Sequence, residues 1–275
     1  TVRKMASETD HLTRTASNVR EKVVANAEIK KIDSLSSTVK RLHLYVENKD
    51  FSFKAGQWVD MFIPGLDTVG GFSMCSSPDF LIRTRILQLA VKASPHPPAH
   101  WVHTQCQVGD TVKLRVGGDF YYDPQPHTKD HDLLLIAGGV GINPLFSILQ
   151  HFLFLHSGQV EADVGSRFSQ DKSVSLLYSA RNAEELIFQT ELIEMTEKYD
   201  NLLLKMFSTQ GAVEHCKYIT EGRIQLKDVK NAVSALDREK TMVYICGPLP
   251  FIEKMKSYCL DCDISEDRVN FEKWW

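Results

Sequence analysis

Two domains of different class are predicted, an antiparallel β-barrel followed by an α/β domain built on a parallel sheet. Three observations predict them. From 22 to about 115 short strand-like runs follow one another, separated by turn residues. The segment Asp123-Pro124-Gln125-Pro126-His127-Thr128-Lys129-Asp130 then interrupts the chain with prolines and polar side chains. Beyond it apolar strands alternate with helical periodicity, the pattern of a parallel sheet covered by helices. The chain divides accordingly into a flexible N-terminal segment at 1–21, a barrel at 22–127 and an α/β domain at 128–275.

The first segment is polar, with Arg3, Lys4, Arg14 and Arg20 among serines and threonines, and is read as a mobile solvated tail or the remnant of a targeting region. In the barrel the expected strands are 23–29, 39–46 with Leu42, Leu44 and Val46 alternating, 57–63, 83–92 and 111–116. Asn48-Lys49-Asp50, Pro64-Gly65 and Gly70-Gly71 are read as turns, and one short helix is expected over 100–106. In the α/β domain the helix from Pro144 carries Leu145, Ile148, Leu149, Phe152 and Leu155 on one face. Strands at 173–179, 202–207 and 241–246 alternate with helices at 183–198, 225–235 and 249–259, and 157–172 is expected to be a polar surface loop.

Composition narrows the functional classes. With 275 residues, 43% hydrophobic, there is material for two sizeable cores, and a net charge of −3 without any dense run of Lys and Arg argues against nucleic acid. The longest apolar stretch, 145–155, is too short to span a bilayer as a helix. Six cysteines in largely apolar contexts are expected to be reduced thiols in an intracellular compartment. Cys259-Leu260-Asp261-Cys262 is a C-x-x-C, but no second Cys or His pair completes a metal site, so no metal is expected.

The chemistry begins at Asp132-Leu133-Leu134-Leu135-Ile136-Ala137-Gly138-Gly139-Val140-Gly141-Ile142-Asn143-Pro144. An apolar strand without polar alternation breaks into glycines and restarts as a helix. The glycines admit a tight turn and close approach of a ligand, Asn143 is expected to cap the helix, and Pro144 to open it. Free amides at that helix start suit the pyrophosphate of a dinucleotide. The fingerprint G-x-G-x-x-G is only partly met, since Pro144 replaces the third glycine. A second strand-to-helix turn, Met242-Val243-Tyr244-Ile245-Cys246-Gly247-Pro248, opens onto the same sheet edge, where parallel sheets bind ligands.

A barrel followed by an α/β domain, with Gly-Gly-Val-Gly-Ile-Asn-Pro opening the second and Cys-Gly-Pro near its end, resembles the ferredoxin–NADP reductase superfamily over 22–275. The resemblance implies a barrel of the flavin-binding type, a nicotinamide dinucleotide on the α/β domain and hydride transfer between them. On it Gly138, Gly139, Val140, Gly141, Ile142, Asn143 and Pro144 form the pyrophosphate turn, and Tyr178-Ser179-Ala180-Arg181 lies beside the adenosine ribose. Cys246, Gly247 and Pro248 sit against the nicotinamide, while Glu272-Lys273-Trp274-Trp275 matches the family's terminal acid and aromatic lid. Ser73 then bonds the flavin ring, Phe72 lies against it, and Glu272 orients Ser73 or relays a proton. The implied catalytic set is Cys246, Ser73, Glu272 and Trp274.

Two departures fall on the flavin side. The family's Arg-x-Tyr-Ser reads Gly70-Gly71-Phe72-Ser73 here, losing the phosphate-pairing arginine and the tyrosine hydroxyl. His96-Pro97-Pro98-Ala99 replaces a Gly-rich turn with a hydroxyl, leaving Arg83, Arg85, Lys92, His96 and His100 as candidate substitutes. FAD is therefore expected with a degenerate site, FMN or an empty barrel remaining open. Ser208-Thr209-Gln210 offers no arginine fork for a 2′-phosphate and favours NAD, whereas Arg181 keeps NADP open. The expected function is a flavin-dependent NAD(P)H oxidoreductase passing hydride from NADH to FAD and then electrons to an unidentified protein or small-molecule acceptor. The alternative is an inactive dinucleotide-binding module acting in regulation or assembly. The resemblance adds the mitochondrion as the expected compartment.

Overall fold

The computed structural model describes residues 11–124, 131–157, 172–211 and 216–274, and the chain forms two compact units, Thr1–Tyr121 and Tyr122–Trp275. The division precedes the proline-rich connector because Tyr122 already packs its ring near Phe152 and Tyr244 of the second unit.

In the first unit, strands β1 (Arg20–Ser34), β2 (Val39–Val46), β3 (Trp58–Phe62), β4 (Gly70–Ser73), β5 (Ile86–Lys92) and β6 (Thr111–Gly117) form one antiparallel sheet in the order β4-β3-β6-β1-β2-β5. A bridge between Met74 and Leu89 joins the two edges and nearly closes the barrel. Alternation fills the interior: Leu42, Leu44 and Val46 from β2 meet Val112, Leu114 and Val116 from β6 in one core.

Several expectations are corrected here. The chain at 11–21 is ordered, with a helical turn α1 (His11–Arg14) and the start of β1. Gly70-Gly71 lies within β4, paired with Met61 and Asp60 of β3, and is not a turn. Residues 83–85 are not strand: Ser77 caps a helix α2 (Pro78–Thr84), which ends where Arg85 adopts φ 60°. Helix α3 (Pro97–Thr104) starts three residues early because Pro97 takes the first helical position, which needs no N–H.

In the second unit, β7 (Asp132–Gly138), β8 (Val174–Ala180), β9 (Leu202–Ser208), β10 (Ile219–Glu221), β11 (Thr241–Pro248) and β12 (Val269–Trp274) form a parallel sheet, ordered β10-β9-β8-β7-β11-β12. Helices α4 (Ile142–His156), α5 (Gln189–Lys198), α6 (Leu226–Ser234) and α7 (Leu249–Leu260) cover it. Every residue of β7 and β8 is buried, as unalternating apolar runs require. Asp132 fixes the start of β7 by accepting from the Ser173 amide at 3.0 Å and the Asp237 amide at 2.7 Å. Helix α5 begins later than the periodicity of 183–198 suggests, since Phe188 has φ 63° and breaks the path. Edge strands β10 and β12 carry no alternation long enough to read from sequence. Residues 125–130 of the connector and 158–171 of the expected surface loop lie outside the described residues.

Candidate dinucleotide and flavin sites

The chain runs from β7 outward through β8, β9 and β10, then returns to β11 on the other flank of β7. Adjacent crossovers therefore leave in opposite directions between β7 and β11, and a crevice at the carboxyl ends of these two strands follows from that topology. Both glycine-bearing turns lie there.

Gly139 to Gly141 form one turn of 3₁₀ helix, and α4 follows with Gly141 at its cap. Asn143 is therefore a buried second helical residue and not the cap, and Pro144 is the third; neither it nor its neighbours need an intrahelical N–H in that first turn. The two glycines separate in role. Gly139 sits at φ 57° with open space where a side chain would point, so its backbone is accessible to a ligand. At Gly141 a Cβ would stand 2.3 Å from the Cys246 carbonyl oxygen and 2.9 Å from the Gly247 nitrogen. Its missing side chain lets the turn sit directly on β11.

Cys246 is fully buried and is paired in register with Ala137 of β7 and Glu272 of β12. Gly138 and Gly247 approach each other under the ring of Phe251, which a Cβ on either would meet at 3.1 and 2.9 Å. Phe251 was not singled out in the sequence, although an aromatic one turn into the helix after Cys-Gly-Pro is the signal. Trp274 pairs through its backbone with Pro248, and Trp275 lies outside the described residues.

At the far end of the crevice, the strand ends of β8 and β9 are tied together. The Gln210 amide donates to the Arg181 carbonyl at 2.7 Å, and the Arg181 Nε donates to Gln210 Oε1 at 2.9 Å. Ser179 is buried beside them, in register with Phe207. The thiols of the C-x-x-C belong to the core under α7: burial first, then the neighbouring Cys262, pushes Cys259 up to about 12.

A flavin ring and its phosphates fit the barrel unequally. Ser73 Oγ is buried without a hydrogen-bond partner, a donor and acceptor fit for a ring heteroatom. The phosphate end does not fit. A Cβ at Gly70 would lie 2.4 Å from the Phe72 ring and 2.9 Å from the Pro98 Cβ, so the ground from which an arginine would reach is filled. Of the proposed substitutes, Arg85 is spent on the carbonyls of Val46 and Asn48, and Arg83 lies 3.7 Å from the Asp79 carboxylate. His100 Nδ1 is 3.1 Å from the Thr104 hydroxyl, Lys92 ends β5 on the surface, and His96 precedes α3 without capping it.

Sequence reasoning missed the charged centre beside β4. Asp60, fully buried on β3 opposite Gly71, accepts from His11 at 3.0 Å, Arg20 at 2.9 Å and Arg115 at 2.6 Å. Burial alone would raise its carboxyl, but these bonds prevail and hold it at about 2. The His11 ring occupies the space above Gly71 that a Cβ would enter.

Similar proteins agree with this geometry. The family described as "Oxidoreductase NAD-binding domain" matches residues 135–257, from within β7 to within α7. Oxidoreductase NAD-binding domain-containing protein 1 of Danio rerio is 47% identical over 97% of this chain and 98% of its own length. That of Xenopus laevis is 45% identical over 99% of this chain and 87% of its own. The chain belongs to the oxidoreductase NAD-binding domain-containing protein 1 family. Its fold is that of a ferredoxin–NADP reductase: the structure of such a reductase from Neisseria gonorrhoeae, with bound FAD and NADP, aligns with a TM-score of 0.71 at 20% identity, covering 93% of this chain and 100% of that one.

Proposed function

We propose that this chain is an NAD(P)H oxidoreductase that binds the nicotinamide dinucleotide on the parallel-sheet unit and uses a flavin ring as hydride acceptor. The observation that carries the reading is the Gly139 to Gly141 turn seated on the Cys246 carbonyl at the β7/β11 switch point. Amides of Gly139 and Val140 hold the pyrophosphate, and Gly247 and Pro248 with Cys246 line the nicotinamide. A flavin supplies a ring that takes a hydride and passes electrons onward singly or in pairs. Ser73 orients that ring and Phe72 lies against it. The electron acceptor is a separate protein or small molecule.

Mixing the protein with NADH and FAD without oxygen tests this. Bleaching of the flavin band, at a rate that saturates with NADH, is expected. NADH binding without bleaching for any flavin would instead support a non-catalytic nicotinamide-binding protein, a reading favoured by the filled space at Gly70.

NADH is the preferred donor on this reading, because Ser208-Thr209-Gln210 offers no arginine fork for a 2′-phosphate and Arg181 is held by Gln210. Arg181 is the residue through which NADPH would bind. We expect kcat/KM for NADH to exceed that for NADPH by about 10-fold, and Arg181→Ala to lower the NADPH value alone, since a charge-assisted phosphate contact is worth about 1.5–3 kcal/mol. A wild-type protein faster with NADPH would reverse the assignment.

A further inference from the structure

Strand β4 and the start of α3 are built for one half of a flavin. The Ser73 hydroxyl is buried at 1% exposure with no partner, and a buried hydroxyl left unpaired costs about 1–3 kcal/mol, so something is expected to use it. Among the described residues of β4 and α3, nothing comparable waits for a phosphate. Helix α3 begins with Pro97 and Pro98, which bring no N–H to its first turn, and Ala99 behind them is buried and brings no hydroxyl. The His100 amide is already bonded to the His96 carbonyl at 2.9 Å. Pro98 packs instead onto Gly70, and the Phe72 ring fills the remaining room over that glycine. Of the guanidinium groups nearby in sequence, Arg85 is committed to the Val46 and Asn48 carbonyls, and Arg83 lies on the outside of α2, 3.7 Å from the Asp79 carboxylate.

We propose that the barrel recognises a flavin through its ring alone and takes it as an exchanging substrate, with riboflavin, FMN and FAD accepted nearly alike. This rests on the oxidoreductase reading and makes its flavin a diffusible reactant. In each turnover the nicotinamide C4–H bond breaks, its hydride and one proton from solvent add to the flavin ring, and NAD(P)⁺ and the dihydroflavin leave. The dihydroflavin then carries both electrons to whatever oxidant it meets, so no acceptor protein has to dock.

The test is to titrate the dialysed full chain with riboflavin, FMN and FAD, following flavin fluorescence at low and high salt. The three Kd values are expected to agree within about threefold and to be insensitive to salt, because one charge-assisted phosphate contact alone would separate them by about 10-fold or more. Ser73→Ala is expected to weaken all three in parallel with Tm unchanged or raised, since it removes a hydroxyl that lacks a partner. A stoichiometric flavin that survives dialysis would overturn the proposal, as would FMN or FAD binding far more tightly than riboflavin, or no binding of any flavin. The two readings fail separately. Tail-independent binding without NADH-driven bleaching defeats the reductase reading and leaves only the recognition through the ring standing, whereas bleaching of a tightly held FAD does the reverse.

Discussion

Gly141→Ala should cripple dinucleotide binding and destabilise the second unit, while Gly139→Ala should leave the unit folded. The difference is where each added methyl goes. At Gly141 it enters the peptide joining Cys246 to Gly247, 2.3 Å from an oxygen that is part of the β7/β11/β12 ladder and has no rotamer by which to retreat. Relief requires α4 to lift away from β11, spoiling the seat of Ile142 and Leu145 in the core. Overpacking typically costs 1–3 kcal/mol, and a backbone contact belongs at about 3. At Gly139 the methyl meets nothing, and the left-handed backbone costs roughly 1–2 kcal/mol. That methyl does stand in the space open to the ligand, so NADH affinity falls there too, with a smaller loss of Tm than at Gly141. Calorimetry beside an NADH titration separates the two. Equal loss of Tm in both variants would contradict the division of labour between the glycines.

That division shows what a sequence conveys and what it withholds. The run from Leu133 to Pro144 announces a buried strand, a glycine turn and a helix, since each depends on neighbours in the chain. Which glycine has open space beside it and which packs on a neighbouring strand depends on β11, a hundred residues on, and is not legible in the run itself. Asn143 failed as a cap in the same way: a 3₁₀ turn carried the helix start back to Ile142, so the side chain was drawn inside. Helix α2 was locally legible in Ser77-Pro78-Asp79, but arginines at 83 and 85 within an apolar run were read as strand. The phosphate-poor character of the barrel was visible in Gly70 and Pro97-Pro98. That Pro98 and Phe72 occupy the vacated ground was not, because the contact joins β4 to α3 across the sheet edge. Least legible was Asp60, whose partners come from α1, β1 and β6 and share no spacing in sequence.

Asp60→Ala is expected to be among the most destabilising single changes in the barrel. The carboxylate is wholly buried and answers two guanidinium groups and an imidazole. Its removal strands Arg20 and Arg115 side by side with no counter-charge, and breaking such a buried pair from one side costs about 3–5 kcal/mol. It also frees His11 from its place over Gly71, so β4, whose Ser73 pairs with Trp58, loses its cover along with its charged anchor. The wild-type contribution has a definite pH window. A carboxyl held at about 2 when folded and near 3.9 when unfolded stabilises fully above the higher value and loses that stabilisation as pH falls through the lower one. Wild-type barrel stability should therefore fall steeply from about pH 4 to 2, and the variant, lower throughout, should fall less over the same interval. Asp60→Asn keeps an acceptor for one arginine and should fall between the two. Urea melts of the three proteins at pH 7, 4 and 2.5, followed by tryptophan fluorescence, measure all of this; identical acid limbs in wild type and Asp60→Ala would remove Asp60 as the source of that dependence.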